Sequence, residues 1–581
     1  MTMMRKLKLG GIIIAMAFVV LAFQVPGEKY FDIAKSLDIF ATLFKEVNAY
    51  YVDDVNPKKL IDNGIHGMLE QLDPYTDYIP EEDLEAFSIQ TTGQYAGVGA
   101  LIGIVNKKTV ITNPYVGFPA ERGGVHVGDE IIAVDGKNVQ GKPTTDVSSL
   151  LKGKPKTEVE LEIKRASQKE NIKFKLVREK IKISNITYQG MVSPDIGYIK
   201  LDEFTPGAGK EVEDAVNKLK QEGAKKLIVD LRDNPGGSLY EAVNIVNVFI
   251  PKGKEVVSTK GKVPDWNKTY NTLNNPLDTE IPMAVLTSGG SASASEIVAG
   301  SLQDYDRAIL VGQKTFGKGL VQTTRQLAYN AQLKVTTAKY YIPSGRCIQA
   351  IDYEHRKSDG TVNKFPDSLK REFKTAAGRK VYDGAGLDPD IFIEAPTYGS
   401  AIIELVGAGY VFEYATKYCN EHPIPASMKD FKFTDEEYQK FVQWVKDQKI
   451  SYTTELDQQA DELVAAAKKE KYYDELQTPL KELKTKIDQN KNSSLTRFKP
   501  ELIKILEQEI AFHYQLAKGQ IEISMGEDKE IIEAKKILAN PDAYKKLLSA
   551  NEWLCYLAWK HPHRHVRLPC IPMRQSLLRA K

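Results

Sequence analysis

The sequence has few cysteines, few histidines and no surplus of charge of either sign. Its 581 residues include 4 cysteines and 8 histidines, and no two cysteines form a Cys-x-x-Cys pair. This pattern excludes a disulfide framework and gives no support for a structural zinc site. The 79 Lys and Arg residues nearly balance the 77 Asp and Glu residues, which argues against nucleic acid as the main partner. We predict no metal and no other cofactor.

Apolar runs that could cross a membrane are also scarce. One run, Ile12 to Phe23, lies near the N terminus behind three basic residues. It is shorter than the span of about 20 residues that a bilayer needs, and its position and charge order are typical of a secretory signal. No clear cleavage site follows, so an uncleaved anchor in the inner membrane is the alternative. We predict a signal peptide or N-terminal membrane anchor over residues 1–26, and export to the periplasm or cell envelope.

The rest of the chain is long enough for several domains and divides into segments with different patterns. Apolar residues at helical spacing predict an N-terminal helical region, and short Val- and Ile-rich runs between glycine turns predict a β-rich module. Alternating strands and helices then predict an α/β core. After this core come a Lys- and Glu-rich helical region and an atypical basic tail. The predicted boundaries are 27–87, 88–178, 179–400, 401–550 and 551–581. The fold class is therefore multidomain α/β.

Two polar stretches interrupt these patterns. Residues 351–385 are polar and contain glycine, which predicts a loop or hairpin excursion from the core. Asn490–Ser494 separates two leucine-rich helical stripes and predicts a break between two helices. The helices of 401–550 are predicted to serve self-association or the docking of an adaptor.

A run of serine and glycine follows one of the buried strands. Thr287–Glu296 leads from an apolar strand into the start of a helix. A serine hydroxyl at such a turn lies beside helix N–H groups, which favour negative charge. The candidate nucleophiles are Ser288, Ser291, Ser293 and Ser295. In the alternative interpretation the run is a linker, with Ser295 as a helix cap.

A nucleophilic serine needs a base, and no histidine stands beside a strand end of the α/β core. The candidate is Lys318, which lies between two glycines after the next strand. A lysine acts as a base only where burial lowers its pKa from about 10.4, and Phe316 and Leu320 offer apolar surroundings. If the segment is extended, Gln322 lies on the same face and could orient the amine. In the alternative interpretation Lys318 is an ordinary solvated lysine.

A further glycine turn, at Gly236 and Gly237, follows a second buried strand and leads into a helix. Because glycine has no side chain, the backbone N–H groups there can approach a substrate closely and stabilise an oxyanion. The alternative is a tight turn with no role in catalysis. Three such features in one predicted domain favour an active site.

Six motifs, taken in order, resemble the carboxy-terminal processing peptidases, the tail-specific serine proteases of the S41 family with a PDZ domain. They span most of residues 27–395 and are, in chain order, Leu72–Pro80, Pro119–Glu130, Asp230–Gly237, Ser291–Glu296, Thr315–Gly319 and Thr337–Gly345. The resemblance implies a serine endopeptidase that recognises protein substrates and cleaves them near their C termini.

The resemblance also implies a role for individual residues. In this family the nucleophile opens a Ser-Ala-Ser-Glu unit and the base is a lysine 25 residues later, which gives Ser293 and Lys318. Gln322 matches the third residue, which orients the lysine. The family's oxyanion donors correspond to the following backbone N–H groups: Gly236 or Gly237, together with Ala294.

Residues 88–178 resemble a PDZ domain. Gly97, Val98, Gly99 and Ala100 match the loop whose N–H groups receive a terminal carboxylate, and a peptide would add beside it as a strand. The implied partners are proteins or peptides with apolar C termini. The alternative function is a catalytically silent PDZ scaffold that binds protein C termini without cleaving them.

Overall fold

The computed structural model describes residues 27–357, 360–448 and 453–549. The predicted signal or anchor at 1–26 and the basic tail at 551–581 lie outside the described residues. The chain divides into two units, with the boundary in sequence between Tyr78 and Ile79. Among the residues described, no helix is both long and apolar enough to cross a membrane.

The first unit is helical, as its apolar spacing predicts. It contains Gly27–Tyr50 (α1) and Pro57–Leu69 (α2), and Asp77–Ile79 (β1) stands at its end. The side chain of Asn56 caps α2 by accepting a hydrogen bond from the backbone N–H of Lys59 at 3.1 Å.

The β-rich module begins with a short helix and contains two sheets. Its helices are Leu84–Thr92 (α3), Pro119–Arg122 (α4) and Thr144–Leu151 (α5). Its strands are Gln94–Gly97 (β2), Ala100–Val105 (β3), Lys108–Pro114 (β4), Glu130–Val134 (β5), Lys137–Asn138 (β6), Glu158–Lys164 (β7), Ile172–Val177 (β8) and Glu179–Lys182 (β9). The order β3-β4-β5-β7-β8 is antiparallel, and β2 pairs with β9. Alternate residues of β7 (Val159, Leu161 and Ile163) fill its core.

The α/β core begins with a hairpin and continues with alternating strands and helices. Its helices are Ala208–Gln221 (α6), Leu239–Phe249 (α7) and Ala294–Asp304 (α8). Its strands are Ile186–Ser193 (β10), Ile196–Leu201 (β11), Lys226–Asp230 (β12), Glu255–Gly261 (β13), Lys268–Asn271 (β14), Met283–Thr287 (β15), Ile309–Gly312 (β16), Leu320–Gln326 (β17), Gln332–Tyr341 (β18), Ile351–Asp352 (β19), Asn363–Lys364 (β20), Glu372–Lys374 (β21), Lys380–Tyr382 (β22) and Ile391–Phe392 (β23). The pairs β19–β20 and β21–β22 confirm the predicted hairpin excursion.

The central sheet has the order β10-β11-β12-β15-β16-β23 and is parallel from β11 to β23. Because parallel strands end at one edge, the turns after β12 and β15 lie side by side. A second, antiparallel sheet places β17, β18, β13 and β14 next to one another.

The C-terminal region is helical. It contains Ser400–Gly407 (α9), Tyr410–Glu421 (α10), Asp435–Asp447 (α11), Glu455–Lys469 (α12), Tyr473–Arg497 (α13), Lys499–Ser524 (α14), Lys529–Leu538 (α15) and Pro541–Leu547 (α16). The predicted break at Asn490–Ser494 is wrong, because α13 continues through it and ends only at Arg497. Asn and Ser are weak helix formers, but neither costs more than about 0.7 kcal/mol, and the stretch contains no Gly or Pro.

Both faces of the central sheet are buried, by different parts of the chain. Side chains alternate along β12: Leu227 and Val229 join the cluster under α6, α7 and α8, whereas Ile228 joins the cluster on the other face. That second cluster includes apolar residues of α15 and α16. The hydroxyl of Tyr544 in α16 accepts a hydrogen bond from the N–H of Met283 at 3.0 Å. The last helices are therefore part of the core that supports the sheet.

Candidate active site

Ser293 lies at the turn between β15 and α8, directly before the first residue of the helix. Its φ of 54° and ψ of −112° are a strained conformation for a residue with a side chain. Its Oγ is buried and forms no hydrogen bond of normal geometry with any residue that the structure describes. Strain and an unpaired buried hydroxyl together are typical of a functional position.

The other candidate serines of this turn have structural roles. Ser288 and Ser291 precede Ser293, and Ser295 lies in the first turn of α8. Their Oγ atoms donate, in that order, to Asp233 Oδ1 at 2.9 Å, to the Leu231 carbonyl at 2.7 Å and to the Asn234 carbonyl at 2.9 Å. These bonds fasten the serine turn to the glycine turn after β12, and they leave Ser293 as the uncommitted hydroxyl of the four.

Glu296 connects the serine turn to the lysine loop. One of its oxygens, Oε2, accepts hydrogen bonds from the backbone N–H groups of Ser293 and Lys318, each at 2.9 Å. The two backbone nitrogens are therefore no farther apart than twice that distance. The other oxygen accepts from Thr315 Oγ1 at 2.6 Å and from the N–H of Gly317 at 2.7 Å. A single carboxylate thus holds the backbones of the predicted nucleophile and the predicted base close together.

The environment of Glu296 is unusual for an acid, because its side chain is fully buried. Burial raises its pKa to about 7, although the four donors favour the ionised form. Sequence analysis gave Glu296 no role beyond the first turn of the helix. The signal was present, since a glutamate three residues after a capping serine is the capping-box pattern.

The predicted site residues line one cavity of about 1050 Å³: Gly236, Gly237, Ser293, Ala294, Lys318 and Gln322. The amide Nε2 of Gln322 donates to Thr336 Oγ1 at 3.1 Å, which fixes the side chain across the β17–β18 pair. Among the residues described, no histidine lines this cavity. The structure thus brings together the six residues that the motifs selected.

The glycine turn packs directly against the serine turn. Gly236 has a φ of +99°, and a side-chain carbon placed on it would lie 2.7 Å from the Ala292 carbonyl oxygen. Its N–H donates to Asn234 Oδ1 at 2.9 Å. The N–H of Gly237, in contrast, donates to no other residue that the structure describes. Asn234 also donates from Nδ2 to the Leu201 carbonyl at 2.8 Å. Sequence analysis missed this asparagine as the support of the turn.

A buried ion-pair network holds the start of the same turn. Asp230 is completely buried and accepts hydrogen bonds from the Tyr198 hydroxyl and from Arg232, both at 2.6 Å. Burial alone would raise its pKa, but Arg232 and Lys200 hold the pKa of Asp230 below its usual value. Arg232 also contacts Asp528, the cap of α15, at 2.8 Å. The glycine turn is therefore connected to the C-terminal helices.

The predicted carboxylate-binding loop lies between β2 and β3. The Val98 carbonyl accepts from the N–H of Ala120 at 2.8 Å, and the Gly99 carbonyl accepts from the N–H of Tyr115 at 2.9 Å. Gly99 has a φ of +78°, and a side-chain carbon there would lie 2.5 Å from Phe118. The loop therefore requires glycine at this position, and its carbonyls are held by the module itself.

Three segments of the chain match known protein families. Residues 110–165 match a PDZ domain, residues 195–355 match peptidase family S41, and residues 401–538 match the C-terminal helical domain of a probable PDZ-protease. The chain is 35% identical over 399 residues to a probable CtpA-like serine protease of Staphylococcus aureus, which covers 68% of this chain and 72% of that protein. The chain belongs to peptidase family S41. It is a serine-type peptidase with a PDZ domain, and the predicted fold class is confirmed.

Other relatives of this S41 peptidase carry related names. It is 36% identical over 345 residues to a carboxy-terminal-processing protease of Bartonella bacilliformis, over 59% of this chain and 79% of that one. The solved photosystem II D1 C-terminal processing protease is 26% identical, over 61% of this chain and 92% of that chain, with a TM-score of 0.33. A peptide-bound PDZ domain of a Vibrio cholerae carboxy-terminal protease is 28% identical, over 16% and 99%, with a TM-score of 0.15.

Proposed function

We propose that this S41 peptidase cleaves protein substrates near their C termini with a Ser293–Lys318 dyad. The observation that carries the proposal is the shared contact to Glu296, which holds the backbones of Ser293 and Lys318 next to each other. The unpaired Ser293 hydroxyl supports the assignment of the nucleophile. The similarity to a carboxy-terminal-processing protease supports the choice of substrate.

In the proposed mechanism, neutral Lys318 Nζ takes the proton of the Ser293 hydroxyl while Oγ bonds to the substrate carbonyl carbon. The backbone N–H groups of Ala294 and Gly237 stabilise the resulting oxyanion. We favour Gly237 over Gly236 because the N–H of Gly236 already donates to Asn234.

The second half of the reaction uses the same groups. The Lys318 ammonium gives its proton to the leaving amine as the carbon–nitrogen bond breaks. Water then attacks the carbonyl carbon of the acyl-enzyme ester and gives a proton to Lys318. The bond between this carbon and Ser293 Oγ breaks, Lys318 returns the proton to Oγ, and the carboxylic acid product leaves and ionises. Gln322, held by Thr336, orients the lysine through both steps.

The PDZ domain is proposed to supply the substrate. Its loop Gly97, Val98, Gly99 and Ala100 would receive the terminal carboxylate of a protein with an apolar C terminus, and the peptide would add as a strand. Captured in this way, the chain upstream of the terminus enters the cavity that contains Ser293.

We propose that the protein acts in the cell envelope after export. The basic and apolar order of the first 26 residues supports a signal peptide or an inner-membrane anchor. The helices of 401–550 would contribute to self-association or adaptor docking, in addition to covering the sheet.

The test is cleavage of an unfolded reporter with an apolar C terminus. Ser293→Ala and Lys318→Ala should each lower kcat/KM by at least about a thousandfold. Ser258→Ala and Lys314→Ala are matched controls outside the cavity and should cleave like wild type. Full activity in Ser293→Ala would overturn the assigned nucleophile. Tight binding of the reporter by an inert wild type would instead favour the silent scaffold.

A further inference from the structure

The active-site cavity continues beyond Gln322 along the antiparallel sheet, and its wall there is basic. Lys268 of β14, Arg325 of β17 and Lys334 of β18 all line it. Glu203 is the single carboxylate among the described residues that line the cavity. The cations therefore outnumber the acids in a concave surface, where the field of several charges adds up.

Strand pairing shows how these cations relate to the site. Gln322 pairs with Thr336, and two residues farther along Thr324 pairs with Lys334. Residues two apart point to the same face, so Lys334 extends the face that carries Gln322. The separation of the two pairs along the strand is about 6–7 Å. Lys334 thus lies about two substrate residues beyond Gln322.

Lys268 and Arg325 line the same cavity, although Arg325, three residues from Gln322, lies on the opposite face of β17. Lys268 pairs with Thr259, which in turn pairs with Tyr340 on the other side. The guanidinium of Arg325 lies 4.4 Å from the centre of the Trp266 ring, which holds this long side chain in place. Both Lys268 and Arg325 are exposed.

None of the three cations has a carboxylate partner within salt-bridge distance in the described ranges of the chain. Elsewhere in the same domain lysines are paired, for example Lys220 with Asp278 at 2.5 Å and Lys314 with Asp388 at 2.7 Å. The positive charge of these three side chains is therefore not compensated by a neighbouring carboxylate.

We propose that this basic wall, formed by Lys268, Arg325 and Lys334, selects substrates with acidic side chains about two to four residues from the cleaved bond. The inference rests on the proposed function, because it takes Ser293 as the position of the cleaved bond. The occupant is an extended segment of the substrate protein, upstream of the terminus that the PDZ domain holds. The acidic residues pair with the wall while the bond lies over Ser293.

The first measurement compares three reporters that share one apolar C terminus and one cleavage site. They carry Glu, Gln or Lys at the positions two to four residues from the mapped bond, on each side in turn. Each exposed charge pair changes affinity by up to about fivefold. We expect kcat/KM of the full chain to be about tenfold higher for the Glu reporter than for the Lys reporter at low salt, and this ratio to fall in high salt.

The second measurement assigns the preference to the wall. Lys334→Gln combined with Arg325→Gln should bring the Glu-to-Lys ratio close to one, and Lys268→Gln should lower it in part. Lys339→Gln, an exposed lysine of β18 outside the cavity, is the matched control and should keep the ratio. Equal cleavage of all three reporters by wild type would overturn the selectivity and leave the proposed function standing.

A binding experiment separates the two proposals. Fluorescence anisotropy of the labelled Glu and Lys reporters on Ser293→Ala measures the wall without cleavage. Tighter binding of the Glu reporter, lost in the wall variants, supports the wall even if wild type cleaves nothing. Equal binding of both reporters contradicts it whatever the outcome for catalysis.

Discussion

Replacing Glu296 by glutamine tests whether one carboxylate holds the active site together. Glutamine has nearly the same shape, but its amide offers one oxygen acceptor where the carboxylate offers two. If the amide oxygen keeps Thr315 and Gly317, its NH₂ group faces the N–H groups of Ser293 and Lys318. Each buried donor left without an acceptor costs about 1–3 kcal/mol. We therefore expect Glu296→Gln to lower the free energy of unfolding by about 2–6 kcal/mol.

The assay is urea denaturation followed by fluorescence, which does not depend on knowing the substrate. Glu280→Gln, on an exposed loop of the same domain, is the control and should change stability by less than about 0.5 kcal/mol. Activity provides a second readout, because separation of the two turns by about 1 Å can cost a hundredfold in rate. A Glu296→Gln protein that unfolds at the wild-type urea concentration and cleaves at the wild-type rate would refute this role of Glu296.

The remaining predictions concern pH, the glycine turn and the contact between α16 and β15. Burial raises the pKa of Glu296 from 4.5 to about 7, so the folded state binds a proton more tightly than the unfolded state does. This contribution to stability is full below pH 4.5 and disappears as the pH rises through 7, a change of about 3 kcal/mol. Denaturation measured at several pH values should show this change in wild type and not in Glu296→Gln. Gly236→Ala combines a φ of +99° with a carbon 2.7 Å from a carbonyl of the serine turn, so kcat/KM should fall at least a hundredfold, whereas Gly253→Ala, with a φ of +82° and open space, should keep wild-type kcat/KM. Tyr544→Phe leaves the N–H of Met283 without its acceptor, and calorimetry should show a loss of about 1–3 kcal/mol; an unchanged melting temperature would contradict the importance of this contact.

Sequence reasoning predicted the parts of the fold that depend on local pattern. The alternation of strands and helices in the α/β core was predicted because apolar runs bounded by glycine and polar residues, such as the one observed as Lys226–Asp230, are a strong signal. The failure at Asn490–Ser494 has the opposite cause. There the local preference is weak, and the hydrogen bonds of a continuous helix outweigh it.

The site shows the same division between short-range and long-range information. The family resemblance selected Ser293 among four serines, and the structure adds a physical reason, because the other three hydroxyls bond to backbone or to Asp233. The roles of Glu296 and Asn234 were not predicted. Their partners lie up to 61 residues away in sequence, and no spacing rule brings such groups together before the sheet order is known.

The C-terminal helices show why the last third of the chain cannot be separated from catalysis. One face of the central sheet is covered by helices that directly follow its strands in sequence. The other face is covered by α15 and α16, which come from the far end of the chain. Arg232 joins these helices to the glycine turn through Asp528, and Gln313 contacts Glu530 at 2.7 Å. Any change that shifts α15 therefore acts on the turn that carries Gly237. A region that looks from sequence like an appended helical domain is a structural support of the active site.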